Sequence, residues 1–179
     1  MIFCRLDLYF FPILDIYTPI DRTILGYKEL FSPIRRFSMK KAAVIHDLSG
    51  FGKCSLTAAI PVLSALGVQC CPVATAVLTG QTGYPCYHCT DLTAMLPDYI
   101  DAWGKNNAHF DAIYSGFLTG AEQISQVLDF IRQFREEHTL LLVDPVMGDD
   151  GNAYPFFTPG LLNGMKELTL EADVITPNL

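Results

Sequence analysis

AAVIHDLSGFGKCSLTAAIPVLSALG, residues 42–67, carries the pattern that decides the fold. The continuous apolar run Ala42–Ile45 is typical of a buried strand, which we expect to end at His46-Asp47 before a glycine-containing turn. Residues 56–66 then have the composition of a helix, in which Pro61 is expected to cause a kink because it lacks a backbone donor. Gly67 follows this predicted helix directly and is a natural C-cap, because glycine readily adopts the left-handed backbone that often ends a helix. The segment therefore predicts a strand, a turn and a helix.

The same alternation continues to the end of the chain. Further strands are predicted at 68–76, 111–114, 140–143 and 173–175, and further helices at 91–103, at 121–136 and after Thr158-Pro159. Alternating strands and helices imply right-handed crossovers and a parallel sheet. Strands that are apolar throughout imply helices on both faces. We expect an α/β protein with three layers, α/β/α, and a mostly parallel central sheet.

Composition and charge exclude several classes of protein. Half of the 179 residues are apolar, which excludes a mainly disordered chain. The net charge of −7 and the lack of a long basic run argue against nucleic-acid binding. No apolar stretch reaches the roughly 18 residues of a membrane span. The six cysteines are scattered, which favours reduced thiols in a cytoplasmic protein. Cys86-Tyr87-His88-Cys89 has no second cysteine pair, so an ordinary loop is favoured there over a zinc site.

Residues 1–38 differ from the rest of the chain. They carry a net charge of +1, whereas residues 39–179 carry −8. No helical or strand period persists through them, and no cleavage site for a signal peptide follows their apolar patch. We hypothesise that Met39 is the natural start and that 1–38 is an atypical extension. The alternative is a genuine N-terminal arm that packs on a partner.

Residues that follow the predicted strands are the candidates for a ligand site, because parallel sheets bind ligands at the carboxyl ends of their strands. The first such segment, 46–53, has two glycines but lacks the full pattern of a Walker loop or of a dinucleotide fingerprint. Thr79–Tyr84 is polar and could cover a pocket or be a solvated loop. In Ser115-Gly116-Phe117, the aromatic ring could stack on a flat ligand or fill the core.

The segment after the fourth strand carries the most information. Asp144, Asp149 and Asp150 lie within seven residues at the exit of an apolar strand. Carboxylates so placed suit Mg²⁺, which prefers oxygen ligands and often bridges to phosphates. A charged, solvated turn is the alternative. After the fifth strand, Thr176-Pro177-Asn178 offers further polar groups.

Together these segments resemble the pyridoxal kinase family of the ribokinase-like fold. The resemblance rests on four groups of residues in family order, at 45–52, at Thr82-Gly83-Tyr84 with Ser115-Gly116-Phe117, at 144–149 with Gly151 and Tyr154, and at 175–178. The resemblance implies ATP-dependent phosphorylation of the 5′-hydroxymethyl group of pyridoxal, pyridoxamine or pyridoxine, with Mg²⁺, in a homodimer when full length.

The resemblance also implies roles for individual residues. Asp47, Thr82 and Phe117 match positions that line the vitamer pocket. Asp144 and Asp149 match the acidic residues near Mg²⁺ and the ATP phosphates. The residues that match positions on the nucleotide side of the family's site are Tyr154, Thr176 and Asn178. Many members have Ser at the position of Asp47 and Tyr at that of Phe117, which leaves the preferred vitamer open.

The resemblance covers residues 39–179 only. The glycine-rich anion hole and the catalytic aspartate of the family are expected beyond Leu179, so the fold is expected to be incomplete at its C-terminus and the chain alone to have negligible kinase activity. Two alternatives remain open. One is a hydroxymethylpyrimidine kinase, although the Ser-Gly-Gly-Ala-Gly segment usual there is missing. The other is a non-catalytic fragment that binds a vitamer or a partner.

Overall fold

The computed structural model describes residues 39–149, 152–154 and 157–178. The strands are β1 (Lys41–Ser49), β2 (Gln69–Leu78), β3 (Cys89–Asp91), β4 (Ala112–Ser115), β5 (Leu140–Val143), β6 (Gly148–Asp149), β7 (Asn152–Ala153) and β8 (Val174–Ile175). The helices are α1 (Ser55–Ala65), α2 (Leu96–Lys105), α3 (Ala121–Phe134) and α4 (Pro159–Leu170). Residues 39–179 form one compact unit. The prediction for residues 1–38 lies outside the described residues and stays a prediction.

Six strands form one sheet in the order β3-β2-β1-β4-β5-β8. All neighbours in this sheet are parallel except β3, which pairs antiparallel with the end of β2. The mostly parallel α/β sheet predicted from the sequence is therefore confirmed. Because β1 lies between β2 and β4, the carboxyl ends of these three strands lie side by side.

Alternation along β1 divides the core between the two faces of the sheet. Ala42 and Val44 pack with Leu56 of α1 on one face. Ala43 and Ile45 belong to the larger core on the other face, which contains residues of α2, α3 and α4. Side chains of a strand point alternately to opposite faces, so one apolar strand serves both cores. This is the three-layer arrangement expected from the sequence.

Local signals explain where two of the helices begin or end. Gly67 has a φ of 75°, the left-handed backbone expected just after α1. Thr158 precedes Pro159 at the start of α4, and its side-chain oxygen accepts a hydrogen bond from the backbone N–H of Leu161 at 3.1 Å. A capping threonine followed by proline in the first turn is therefore confirmed as the start of this helix.

Two local predictions were wrong. Residues 91–95 are not α-helical, because Asp91 ends the edge strand β3 and its carboxylate accepts a hydrogen bond from the N–H of Thr93 at 2.7 Å. A single 3₁₀ turn follows, and α2 begins at Leu96 with a proline in its first turn. His46 and Asp47 do not end β1 but lie within it. In the acidic segment, Gly148–Asp149 pairs antiparallel with Asn152–Ala153.

No helix in the described part of the chain is long and apolar enough to cross a membrane.

Replacement of the capping residue tests the start of α4. Thr158→Ala removes the oxygen that accepts the Leu161 N–H, so we expect the free energy of unfolding in urea to fall by about 1 kcal/mol. Thr169→Ala is the matched control, because Thr169 lies within α4 and its hydroxyl donates only to the exposed carbonyl of Lys166. Equal stability of the two variants would show that the cap contributes nothing.

Candidate active site at the carboxyl edge of the sheet

A cavity of about 450 Å³ lies at the carboxyl ends of the parallel strands. Its walls come from the ends of β1, β2 and β4, from α1, from residues 81–82, and from the segments after β4, β5 and β8. Six of the eight site residues predicted from the sequence line it: Asp47, Thr82, Phe117, Asp144, Tyr154 and Asn178. The volume is within the range of small-molecule sites in proteins.

The other two predicted residues are not among the described residues that line the cavity. Thr176 is exposed and does not line the cavity; its backbone N–H donates to the carbonyl of Val143 at 3.1 Å and so continues the pairing of β5 with β8. The backbone of Asp149 lies in β6, but its side chain is outside the described part of the structure. Its assignment as a metal ligand therefore stays a prediction.

The end of β1 brings two buried polar residues to the cavity. His46 and Asp47 are each 4% exposed. The pairing of β1 with β2 shifts register between His46 and Leu48, where β2 carries one residue more than β1. Such irregularities re-aim side chains at a strand end. Asp47 accepts a hydrogen bond at Oδ2 from the hydroxyl of Ser49 at 2.8 Å.

His46 is held as a neutral imidazole. Burial lowers its pKa from 6.5 to about 4, because a charged ring would lose its hydration. Its ring meets the ring of Tyr114 edge-on at a centroid distance of 4.3 Å. Its Nε2 atom has no hydrogen-bond partner within the described residues. A Cβ on Gly116 would lie 2.1 Å from the ring carbon Cε1, so the glycine leaves the space that the imidazole fills.

A buried glutamine fixes the segment that carries Phe117. The Gln123 side chain donates from Nε2 to the carbonyl of Thr75 at 2.9 Å and accepts at Oε1 from the N–H of Thr119 at 2.9 Å. The Thr75 hydroxyl donates to the carbonyl of Phe117 at 2.8 Å. Phe117 packs on Ala76 and Leu78 of β2, so it is part of the core and also a wall of the cavity.

The glycine turn after β1 and the polar loop after β2 contact each other beside the cavity. The N–H of Gln81 donates to the carbonyl of Phe51 at 2.9 Å, and the rings of Phe51 and Tyr84 lie 4.9 Å apart. Gly52 has a φ of 94° and lies against the Gln81 side chain. These contacts place Thr82 at the cavity wall.

The acidic segment after β5 and the polar segment after β8 contact each other, and both contribute residues to the cavity. The Asn178 amide donates from Nδ2 to the carbonyl of Gly148 at 3.3 Å. Asp144 donates its backbone N–H to the carbonyl of Ser115 at 2.8 Å, which fixes it next to the end of β4. Burial raises the pKa of the Asp144 carboxyl, because little water reaches the charged form. A half-buried carboxylate in this position would gain from a nearby cation.

Among the residues described, no group of three or more His, Cys, Asp or Glu side chains is arranged to hold a metal ion. Mg²⁺ is commonly held by one or two carboxylates together with phosphate oxygens and water. Asp144 is the described residue that fits such a role.

The chain has relatives among known kinases. It is 35% identical to the pyridoxine/pyridoxal/pyridoxamine kinase of Bordetella avium over 136 residues, which are 72% of this chain and 45% of that protein. The pyridoxal kinase structure from Lactobacillus plantarum matches with a TM-score of 0.72 and 33% identity over 79% of this chain and 50% of its own. The chain belongs to the pyridoxal kinase family. No protein-family model matches it.

A further relative was solved with a vitamer. This protein of Bacteroides thetaiotaomicron, named as a phosphomethylpyrimidine kinase, was crystallised with pyridoxal; it is 48% identical with a TM-score of 0.77, over 79% of this chain and 49% of its own. These neighbours confirm the ribokinase-like fold of the pyridoxal kinase family. The chain spans about half the length of the relatives it matches.

Sequence reasoning missed several members of the site. His46 and Cys54 also line the cavity, as does Tyr114, and none of them was predicted to do so. The signal for His46 in the sequence was its position directly before Asp47, at the expected end of β1. Tyr114 lies within the β4 strand, where an aromatic residue is ordinarily interpreted as core.

The contact between Gly116 and His46 can be tested by adding one methyl group. Gly116→Ala forces the imidazole or the backbone to move, so we expect a loss of roughly 1–3 kcal/mol in the free energy of unfolding. Gly160→Ala is the control, since its added Cβ would make only ordinary contacts at 3.5 Å and beyond. Unchanged stability of Gly116→Ala would show that the ring is not packed against this position.

Buried neutral His46 predicts a pH dependence of stability. Between about pH 6.5 and pH 4 the unfolded chain binds a proton at this residue and the folded chain does not. Stability should therefore fall as the pH falls through this window, by at most about 1.4 kcal/mol per pH unit from this group. His46→Gln should flatten the urea-derived slope, whereas His88→Gln, at an exposed position, should not. Equal slopes in all three proteins would contradict a buried neutral imidazole.

Proposed function

We propose that this chain forms the substrate-facing part of a kinase that transfers phosphate from ATP to the 5′-hydroxymethyl group of a B6 vitamer. The supporting observation is the convergence of six predicted residues, from five separate segments of the chain, on one cavity. The parallel strands bring the segments that follow them to one edge of the sheet, which is where sheets of this kind bind ligands. The family relatives supply the activity that such a cavity would serve.

The two sides of the cavity suit two different ligand groups. Phe117 offers an apolar wall, and Asp47 and Thr82 offer polar groups, which together suit a substituted aromatic ring. Asp144, Tyr154 and Asn178 lie on the nucleotide side implied by the family resemblance. A pyridoxal kinase of Leishmania donovani was solved with ADP and pyridoxamine, and we extend nucleotide binding to this chain as part of the proposal.

Phosphoryl transfer depends chiefly on positioning and charge neutralisation. Mg²⁺, when bound, would neutralise charge on the phosphates. Asp144 would hold the ion through its carboxylate, and the hydrogen bond from its N–H to Ser115 would keep it at the end of β4. The vitamer-side residues would orient the ring so that its hydroxymethyl group points towards the nucleotide.

One relative supports a second candidate substrate. The Bacteroides thetaiotaomicron protein is named for a phosphomethylpyrimidine, so a hydroxymethylpyrimidine is the alternative ring. The crystal of the same protein with pyridoxal favours the vitamer. A non-catalytic role, in which the chain binds a vitamer without turnover, is the alternative from a different class.

Calorimetry on the 179-residue chain tests the proposal. We expect pyridoxal to bind more tightly than hydroxymethylpyrimidine, and ADP to bind more tightly with Mg²⁺ than without. Asp144→Asn should reduce the Mg²⁺-dependent gain in ADP affinity at least about tenfold while pyridoxal still binds. Asp129→Asn, on the exposed face of α3, is the matched control.

The outcomes separate the candidates. Failure of pyridoxal to bind would overturn the B6 assignment, and tighter binding of hydroxymethylpyrimidine would favour the second ring. A coupled assay for ATP consumption with pyridoxal then separates a chain that turns over substrate from one that only binds it. Equal Mg²⁺-dependent affinity in Asp144→Asn and Asp129→Asn would remove Asp144 from the metal role.

A further inference from the structure

The charges that line the cavity are of one sign. Asp47 and Asp144 both line it, and no lysine or arginine is among its described lining residues. His46 supplies no compensating charge, because burial keeps its imidazole neutral. A ligand that enters this cavity therefore meets two carboxyl groups and no cation from the described protein.

The Asp47 carboxyl group is the more enclosed of the two. It is 4% exposed, and the described hydrogen bond to it comes from the neutral hydroxyl of Ser49 at Oδ2. A carboxylate has about four acceptor positions, so further donors can be accommodated. A buried charge is costly unless it is paired and hydrogen-bonded. This group is therefore suited to a donor that carries positive charge.

A second, independent observation indicates that this end of the cavity receives a ligand. His46 precedes Asp47 in β1, is more than nine-tenths buried and lines the same cavity. Its Nε2 has no partner within the described residues. Buried polar atoms are normally satisfied, so an unpaired one in the wall of a cavity marks a group that a bound ligand can satisfy.

We propose that Asp47 makes the cavity select a heteroaromatic ring whose nitrogen is protonated, with the ring N–H⁺ donating to the Asp47 carboxylate. The inference rests on the proposed function, since a B6 vitamer carries such a nitrogen. It adds the protonation state of the bound ring and the residue that determines it. A serine at this position would offer a neutral hydroxyl and no such charge preference.

No proton is transferred in this step. The ring nitrogen binds already protonated, and the ion pair replaces water around both charges. Charge-assisted hydrogen bonds are roughly twice as strong as neutral ones. The affinity for the vitamer should consequently fall as the pH rises through the pKa of the free ring nitrogen, because less of the ligand is then cationic.

The other titratable groups near Asp47 have to be kept constant in such an experiment. His46 is neutral well below pH 6. Burial raises the pKa of Tyr114 and of the Cys89 thiol, and Asp47 itself adds to the shift at Cys89. The remaining titratable residues of the cavity wall are Cys54, Asp144 and Tyr154. A variant that changes only Asp47 leaves all of these in place.

The experiment uses two ligands and three proteins. Pyridoxine and its carbocyclic analogue, in which C–H replaces the ring nitrogen, are titrated calorimetrically between pH 6 and pH 9 into the wild-type chain, Asp47→Asn and Asp47→Ser. At pH 6 we expect the affinity of the wild type for pyridoxine to be at least about tenfold higher than that of Asp47→Asn. The variants should lose the pH dependence attributable to the ring nitrogen, and the analogue should bind all three proteins within about twofold.

Each other outcome has a defined meaning. Equal pyridoxine affinity and equal pH dependence in the wild type and Asp47→Asn would overturn the proposal. So would tight binding of the analogue to the wild type. If the wild type bound neither ring at any pH, the proposed function would fail and this inference with it. If Asp47→Asn were to unfold, the Asp47→Ser titration and the wild-type comparison of the two ligands would decide.

Discussion

Parallel pairing of β1 with both β2 and β4 is the constraint on which the site depends. The register joins Ile45 to Val73 on one side and to Ser115 on the other, so the three strands reach the same edge together. The segments that follow these strands therefore begin at the same edge of the sheet. Segments separated by up to about 130 residues thereby share one cavity without a direct contact between all of them.

Much of the fold could be predicted because apolar periodicity is a local signal. The run Leu140–Val143 was predicted with its observed bounds, and Thr158-Pro159 identified the start of a helix. The edge strand Cys89–Asp91 was missed, since three residues carry no measurable period and the strand exists through pairing with the distant end of β2. Asp91 is typical of a helix start, but here its carboxylate caps a turn that precedes the helix.

The candidate site was predictable to the extent that strand ends could be located. Thr82 and Phe117 follow that rule and line the same cavity as Asp47, which lies within β1. His46 does not follow the rule, because β1 extends past the expected end and its register shift against β2 cannot be read from residue types. Thr176 does not line the cavity, and its backbone N–H pairs with Val143 at the end of β5; its role stays a prediction. Tertiary pairing, rather than composition, decides each of these cases.

The packing of His46 against Gly116 has a consequence for how this site can change over time. The imidazole and a side chain at position 116 compete for the same volume, so neither position can be altered independently. A lineage that acquires alanine at 116 would first need a smaller residue at 46, which would reopen the end of the cavity. The two sites are therefore expected to show epistasis, and variation in ligand preference would follow paired rather than single replacements.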